Sequence, residues 1–163
     1  MNNLDLGLDI QEICINGDES KKISFCPSDI NIVARYKECL EYFENLQKQF
    51  EETSEEIKED NAIEVVKKLS EIDKILKEKI DYIFNAKISE VVFGDVSCFT
   101  RGLNDRPIFQ NVIESLIKYC TNSYNAKVET IKNSEKANQY LAKYRNKYVK
   151  NHDFKKSNKY SNR

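Results

Sequence analysis

The fold is decided by residues 62–85, AIEVVKKLSEIDKILKEKIDYIFN, in which apolar side chains recur every three or four positions. This spacing is typical of an amphipathic α-helix and predicts one from Ala62 to about Asn85, with an extension to Phe93 left open. Further apolar residues widen the stripe, and a face this wide contacts more than one neighbour, so we expect a central helix. The stripe consists of Val66, Leu69, Ile72, Leu76, Ile80 and Ile83.

A second long helix is predicted before this one, from about Ile30 to about Asp60. Ser28 or Asp29 can accept a hydrogen bond from an otherwise unpaired backbone N–H of its first turn. Its acidic residues lie mostly off the apolar stripe, so the stripe should face the core. That stripe consists of Val33, Tyr36, Leu40, Phe43, Leu46 and Phe50.

A third long helix is predicted after the one real loop of the chain. Residues 94–106 contain two glycines among interleaved apolar residues, and we expect this loop to fold back onto the core. Pro107 suits the first position of a helix, because the N–H that proline lacks would be unpaired there. We predict this helix from Ile108 to about Val149, with a break near residues 133 and 134.

The N-terminal segment is predicted to form a β-hairpin over about residues 4–26. Apolar and polar residues broadly alternate over residues 4–15, with a slip at Gln11-Glu12, and the alternation resumes at residues 23–25. Asn16-Gly17 is a strong signal for a two-residue turn, because both residues tolerate positive φ. Two strands alone are marginally stable in water, so the hairpin must lie on the helices or join the sheet of a neighbour.

Length and composition indicate one helical domain. The chain has 163 residues, 33% of them charged, with only four glycines and two prolines. A chain of this length can bury a sufficient core without a disulfide or a metal. We therefore predict a mostly α fold, with the N-terminal hairpin packed on a bundle of about three long helices. The single domain should cover residues 1–149, and residues 150–163 should form a basic, flexible tail.

Residue types that carry catalysis are scarce. The one histidine, His152, lies in the polar C-terminal stretch, and the five cysteines form no C-x-x-C pair. No glycine motif for phosphate binding is present. We predict no catalytic, cofactor-binding or metal site, and a protein that is not an enzyme. The chain also lacks a run of apolar residues long enough to span a membrane, and it lacks the pattern of a signal peptide. We therefore expect a cytoplasmic location.

Charge is distributed unevenly along the chain. Residues 1–60 carry 15 acids and 6 bases, whereas residues 141–163 carry eight bases and one acid. Tyrosines recur every four residues near the basic end, and on a helix they form one aromatic ridge. Such a ridge can dock on an acidic protein surface, bind nucleic acid or simply end the bundle, and the slight net acidity disfavours nucleic acid. The candidate interaction surface consists of Tyr140, Tyr144, Arg145, Lys147, Tyr148 and Lys150.

Three stretches of the chain resemble one family. They are ISFCPSDIN at residues 23–31, IDYIF at residues 80–84 with VFG at residues 92–94, and KYRNKY at residues 143–148. These stretches resemble small proteins from the tail gene modules of phages and prophages of Gram-positive bacteria. In that family a short β-hairpin ends in an F-x-P-S-D-x-N turn and passes into a helix. Cys26 and the long acidic stretch at the end of the first helix are not features of the pattern.

The resemblance implies a role in phage tail assembly, as a tail assembly chaperone or a minor structural component, and it brings no catalytic residues. A tail chaperone coats the long helical tape-measure protein until tail tube subunits displace it. The implied partners are tail or tape-measure proteins in the bacterial host cytoplasm, with the virion as a second location. Two alternatives stay open: a capsid scaffolding protein, and a small nucleic-acid-binding regulator that uses the basic C-terminus. Because the two ends carry opposite charges, copies could also stack head to tail as a homo-oligomer.

Overall fold

The computed structural model of the protein describes the backbone of residues 2–160 and the side chains in that range except those of 137, 140, 141 and 143–160. The fold is mostly helical with an N-terminal antiparallel hairpin, as the sequence predicts. The chain divides into two compact units, residues 1–123 and 124–163. In chain order the elements are β1 (Gln11–Ile15), β2 (Asp18–Phe25), α1 (Asn31–Glu55), α2 (Ala62–Phe84), α3 (Ser89–Phe93) and α4 (Ile108–Tyr160).

The hairpin turns where the sequence predicts it. Asn16 and Gly17 have φ values of 53° and 76°, which a tight two-residue turn requires. The two strands pair antiparallel from Gln11 opposite Phe25 to the turn, with a bulge at the end of β1. The predicted start at residue 4 is wrong, because residues 2–10 belong to no strand or helix. The strand β2 ends at Phe25, opposite Gln11, so β2 does not extend alongside these residues. We call residues 2–10 the N-terminal arm.

Helix α1 begins as predicted but ends earlier. Asp29 accepts a hydrogen bond through Oδ1 from the backbone N–H of Asn31, at 2.9 Å, and so pairs one N–H of the first turn. The helix ends at Glu55 rather than near Asp60. Its last predicted turn is acidic and nearly without apolar side chains, so nothing anchors it to the core.

The buried face of α1 is rotated from the predicted stripe. Val33 and Leu40 are 49% and 41% exposed, so their predicted burial is wrong. The Nε of Arg35 donates a hydrogen bond to the carbonyl of Ile83 at the end of α2, at 2.8 Å, and holds α1 in the observed rotation. A line with the same three-to-four-residue spacing therefore faces the core. Its buried members are Ile32, Cys39, Phe43 and Leu46.

Helix α2 is central, as predicted. Leu76, Ile80 and Ile83 have no exposed surface, which shows that neighbours cover the second half of the helix on this face. The first half is less covered, because Ile63 and Val66 are more than half exposed. The prediction that Val66 belongs to the buried stripe is therefore wrong.

The chain leaves α2 through a left-handed residue instead of extending the helix to Phe93. Asn85 adopts a φ of 50°, and α3 follows as a separate short helix. Asp81 caps this helix through Oδ1, which accepts hydrogen bonds from the N–H groups of Ile88 and Ser89 at 2.8 and 2.7 Å. Its Oδ2 accepts the hydroxyl of Ser89 at 2.8 Å. The carboxylate therefore fixes the direction of the chain after α2.

The loop after α3 folds back onto the core, as predicted. Cys98 and Phe99 are buried, and the ring of Phe99 stacks on Phe50 with a centroid distance of 4.1 Å. Asp73 of α2 holds this loop by accepting the Cys98 N–H at 2.7 Å. A hydrogen bond from the N–H of Phe109 to the carbonyl of Cys98 then ties the loop to the start of α4.

Helix α4 starts at Ile108, directly after Pro107, as predicted. The predicted break near residues 133 and 134 is wrong, because the backbone stays helical to Tyr160, beyond Val149. Asparagine and serine cost only a fraction of about 1 kcal/mol inside a helix, too little to break one. The predicted flexible tail, residues 150–163, lies outside the described side chains. Within the described part of the chain, no helix combines the length and the apolarity that crossing a bilayer demands.

Candidate binding surfaces

The tyrosine ridge predicted near the C-terminus lies in α4, where the backbone is helical. Its side chains are outside the described residues, so the ridge stays a prediction from the sequence. The residues concerned are Tyr140, Tyr144, Arg145, Lys147, Tyr148 and Lys150.

An open groove of about 230 Å³ lies between α1 and the first turns of α4. Its floor is formed by Phe43, Phe109 and Ile113, and the rings of Phe43 and Phe109 lie 6.0 Å apart. Leu40 borders the groove, and Val33 continues the exposed apolar line along α1. We call this surface the α1/α4 groove. Its apolar floor and exposed apolar border suit a second apolar helix face.

Polar side chains bridge the groove at one end. Gln110 of α4 donates a hydrogen bond to Gln47 of α1 at 2.8 Å and accepts one from Arg106 at 3.1 Å. Arg106 also donates to both carboxylate oxygens of Glu114, at 3.1 and 2.5 Å. This pairing lowers the pKa of Glu114 and raises the pKa of Arg106. The guanidinium of Arg106 is therefore neutralised by Glu114 of α4, while Glu44 of α1 adds a carboxylate to the wall of the groove.

A second cleft, of about 370 Å³, lies between β1 and α4. Tyr119 of α4 donates a short hydrogen bond from its hydroxyl to the Oε1 of Gln11 at the start of β1. We call this surface the hairpin cleft. The apolar side chains that line it are Ile13, Ile15, Val92, Val112, Leu116 and Tyr119.

The N-terminal arm carries the most exposed run of large apolar side chains among the described residues. Leu4, Leu6, Leu8 and Ile10 are 80%, 69%, 63% and 55% exposed. A single exposed leucine is ordinary on a protein surface, but a contiguous exposed apolar series is a candidate interaction site. The apolar side chains of the arm are therefore suited to burial against another apolar surface.

The buried polar groups among the described residues hold the fold together. Burial raises the pKa of Cys98, and burial also raises the pKa of Cys120 to about 11, so both thiols are protonated at neutral pH and are weak nucleophiles. The carboxylate of Asp73 is occupied by Ser97, Cys98 and Lys77. Within the described residues, no three His, Cys, Asp or Glu side chains lie together in a way that could hold a metal ion.

Sequence reasoning missed Asp73, Asp81 and Arg35, three side chains that hold separate segments of the fold together. Asp73 and Asp81 each follow an isoleucine of the apolar stripe of α2, at Ile72 and Ile80. A carboxylate beside a buried stripe is the signal that could have found them, because burying a charge is costly unless it is hydrogen-bonded.

The chain matches no protein-family model, no curated protein and no solved structure.

Proposed function

We propose that this chain is a non-enzymatic assembly protein that holds an amphipathic helix of a partner protein in the α1/α4 groove. The observation that carries the proposal is the groove itself, with its apolar floor of Phe43, Phe109 and Ile113. A helix lying in this groove would cover the exposed side chains of Val33 and Leu40. Recognition of an amphipathic helix by an apolar groove is a common mode of protein binding.

The charge of α1 indicates the chemistry of the partner helix. Residues 31–55 carry six acids and three bases, and Glu44 lies in the wall of the groove. Since opposite charges around an apolar centre favour binding and fix orientation, the partner helix should be basic on both sides of its apolar face. A partner with acidic flanks would be repelled.

A phage tail module is the setting that we propose for this activity, in the cytoplasm of a bacterial host. The resemblance of residues 23–31 and 143–148 to tail-module proteins supports this setting. A tape-measure protein is a long helix whose apolar faces are uncovered before the tail tube assembles around it. A groove that accepts one amphipathic helix at a time would shield such a protein in segments, as a tail assembly chaperone does.

The chemistry of the described side chains also supports a binding role. The buried thiols are protonated, and the most buried ion pair among the described residues, Asp73 with Lys77, anchors a loop through further hydrogen bonds. A general acid or base would need a free position towards a substrate. These groups are therefore better suited to structure than to catalysis.

Co-expression with the tape-measure protein of the same genome tests the proposal. The two proteins should purify together, and the double variant Val33→Glu with Leu40→Glu should lose the complex because it places two carboxylates at the border of the groove. The matched control is Ile63→Glu, which changes an exposed apolar residue on α2 and should leave the complex intact. Circular dichroism should show all three chains equally helical.

Two results would contradict the proposal: no tape-measure protein in the same genome, or a complex that survives the double variant. Retention on DNA at physiological salt would favour the nucleic-acid-binding regulator instead. Binding to capsid protein in place of tail protein would favour the scaffolding alternative.

A further inference from the structure

We propose that two copies of this chain exchange their N-terminal arms, so that the arm of each copy lies in the hairpin cleft of the other as a third strand beside β1. This interface is separate from the α1/α4 groove and does not depend on the function proposed for it. Three features of the molecule lead to it: an exposed apolar arm, an unpaired strand edge, and an apolar cleft along that edge.

The arm has the pattern of a strand that lacks a partner. Its apolar residues occupy every second position, so in an extended conformation all four would lie on one face and Asp5, Gly7 and Asp9 on the other. In the structure Gly7 has a φ of 59°, which bends the arm away from an extended path. Glycine adopts this conformation and the extended one with similar ease, so the arm can straighten on binding.

The hairpin provides the edge that such a strand needs. In the described part of the chain the sheet consists of β1 and β2, so β1 has a second edge that β2 does not cover. Exposed edges of this kind readily pair with a strand from another chain. The hairpin cleft lies between β1 and α4, so a strand added there would place its apolar face against Val112 and Leu116. Main-chain hydrogen bonds and side-chain burial would then act together, as in other cases of strand addition.

The arm of a second copy fits this cleft better than the chain's own arm. The own arm joins β1 at Gln11 and would have to reverse direction before it could run beside β1. That reversal would use residues 8–10, and only Leu4 and Leu6 would reach the cleft. None of residues 2–10 lines the cleft in the structure. An arm from another copy needs no reversal and can present all four apolar side chains.

Pairing between the two arms themselves is less favourable. An antiparallel pair centred on Gly7 would place Asp5 of one copy directly opposite Asp9 of the other, twice. Like charges directly opposite each other destabilise a strand pair. Exchange into the two hairpin clefts avoids this repulsion and gives a closed, twofold dimer.

Disulfide trapping tests the exchange through Cys14, which is exposed on the solvent side of β1 at the rim of the cleft. Replacing Cys26, the other partly accessible cysteine, by serine leaves Cys14 as the accessible native thiol. Asp5→Cys and Gly7→Cys place a second thiol on the solvent side of the bound arm. Under mild oxidation at least one of them should form a covalent dimer through Cys14. Leu6→Cys faces the cleft. Ile63→Cys lies in the first turn of α2, at the opposite end of that helix from Phe84, which contacts the hairpin. Neither variant should form the covalent dimer.

The oligomeric state gives an independent readout. The unmodified protein should be a dimer by light scattering, and Leu6→Asp with Leu8→Asp should make it a monomer of unchanged helical content. Ile63→Asp, at an exposed apolar residue in the first turn of α2, should leave the dimer intact. A monomeric unmodified protein would overturn the proposal. A disulfide between Cys14 and the arm of the same chain would overturn it as well, in favour of the chain's own arm.

Discussion

Three charged side chains on one side of α2 attach the irregular part of the fold to the helix. Asp73, Lys77 and Asp81 follow each other at intervals of four residues, so they lie in line along the helix. Asp73 and Asp81 accept backbone N–H groups of the turns that follow, and Lys77 donates to the carbonyl of Val96 at 2.9 Å. These side chains supply hydrogen-bond partners to backbone groups that lose their contacts with water when the chain folds.

The variant Asp73→Asn measures how much this attachment contributes to the free energy of unfolding. The amide oxygen can still accept the N–H of Cys98, but the ion pair with Lys77, at 2.9 Å, is lost. Because bonds to a charged acceptor are the stronger ones, we expect the free energy of unfolding to fall by about 1–2 kcal/mol at neutral pH. Urea denaturation checks this, with Asp95→Asn in the exposed part of the same loop as the control. Equal effects of the two variants would contradict it.

The same variant should show a defined dependence on pH. Burial opposes ionisation of Asp73, but hydrogen bonds from Cys98, Lys77 and Ser97 outweigh burial, and the pKa lies below its ordinary value of 3.8. The stabilisation is therefore complete above 3.8 and is lost as pH falls through the lowered pKa of the folded state. The stability difference between the native chain and Asp73→Asn should shrink over that acidic range. A difference that stayed constant would show that the charge of Asp73 is not its source.

At the level of the helices and strands, the sequence predicts correctly those features that depend on local interactions. The turn at Asn16-Gly17 and the start of α4 after Pro107 depend on the conformations of single residues, and both are where the sequence places them. The rotation of α1 depends on long-range contacts, such as the bond from Arg35 to the carbonyl of Ile83. A stripe of apolar residues cannot show which of its members a distant helix covers, so the burial of Val33 could not be predicted correctly.

The candidate surfaces divide in the same way. The sequence shows that the arm is apolar and alternating, but not that β2 ends too early to pair with it. The α1/α4 groove exists because two helices far apart in the chain leave a gap above Phe43 and Phe109. The apolar periodicity of either helix alone therefore could not predict the groove.

Attachment of the hairpin to the helices should depend on Phe25. This ring is 3% exposed and contacts Phe84 edge-on at 5.6 Å and Tyr119 at 6.5 Å. Truncating a buried phenylalanine costs about 3–5 kcal/mol, so Phe25→Ala should lower the free energy of unfolding by that amount in urea denaturation. The neighbouring exposed Ser24→Ala should change it by less than about 0.5 kcal/mol. A small effect of Phe25→Ala would mean that the hairpin is not part of the cooperative fold.

Among the side chains that the structure describes, the hydrophobic core lies in the first of the two units. Every member of the core cluster, and every partly buried apolar residue packed against it, lies at or before Cys120. The sequence predicts instead a single domain over residues 1–149, and that boundary stays a prediction. The single predicted domain and the two compact units of the structure lead to different expectations for the stability of a shortened chain.

A chain ending at Ser123 separates them, because it keeps every core residue found among the described side chains and removes the second unit. We expect it to unfold cooperatively in urea, with a free energy of unfolding within about 1 kcal/mol of the full chain, since it loses no buried apolar contact of the core. A chain ending at Asn104 is the control. It lacks Phe109, Ile113 and Leu116, and should not fold. If the chain ending at Ser123 also loses its cooperative transition, residues 124–149 belong to the same folding unit as the hairpin and α2.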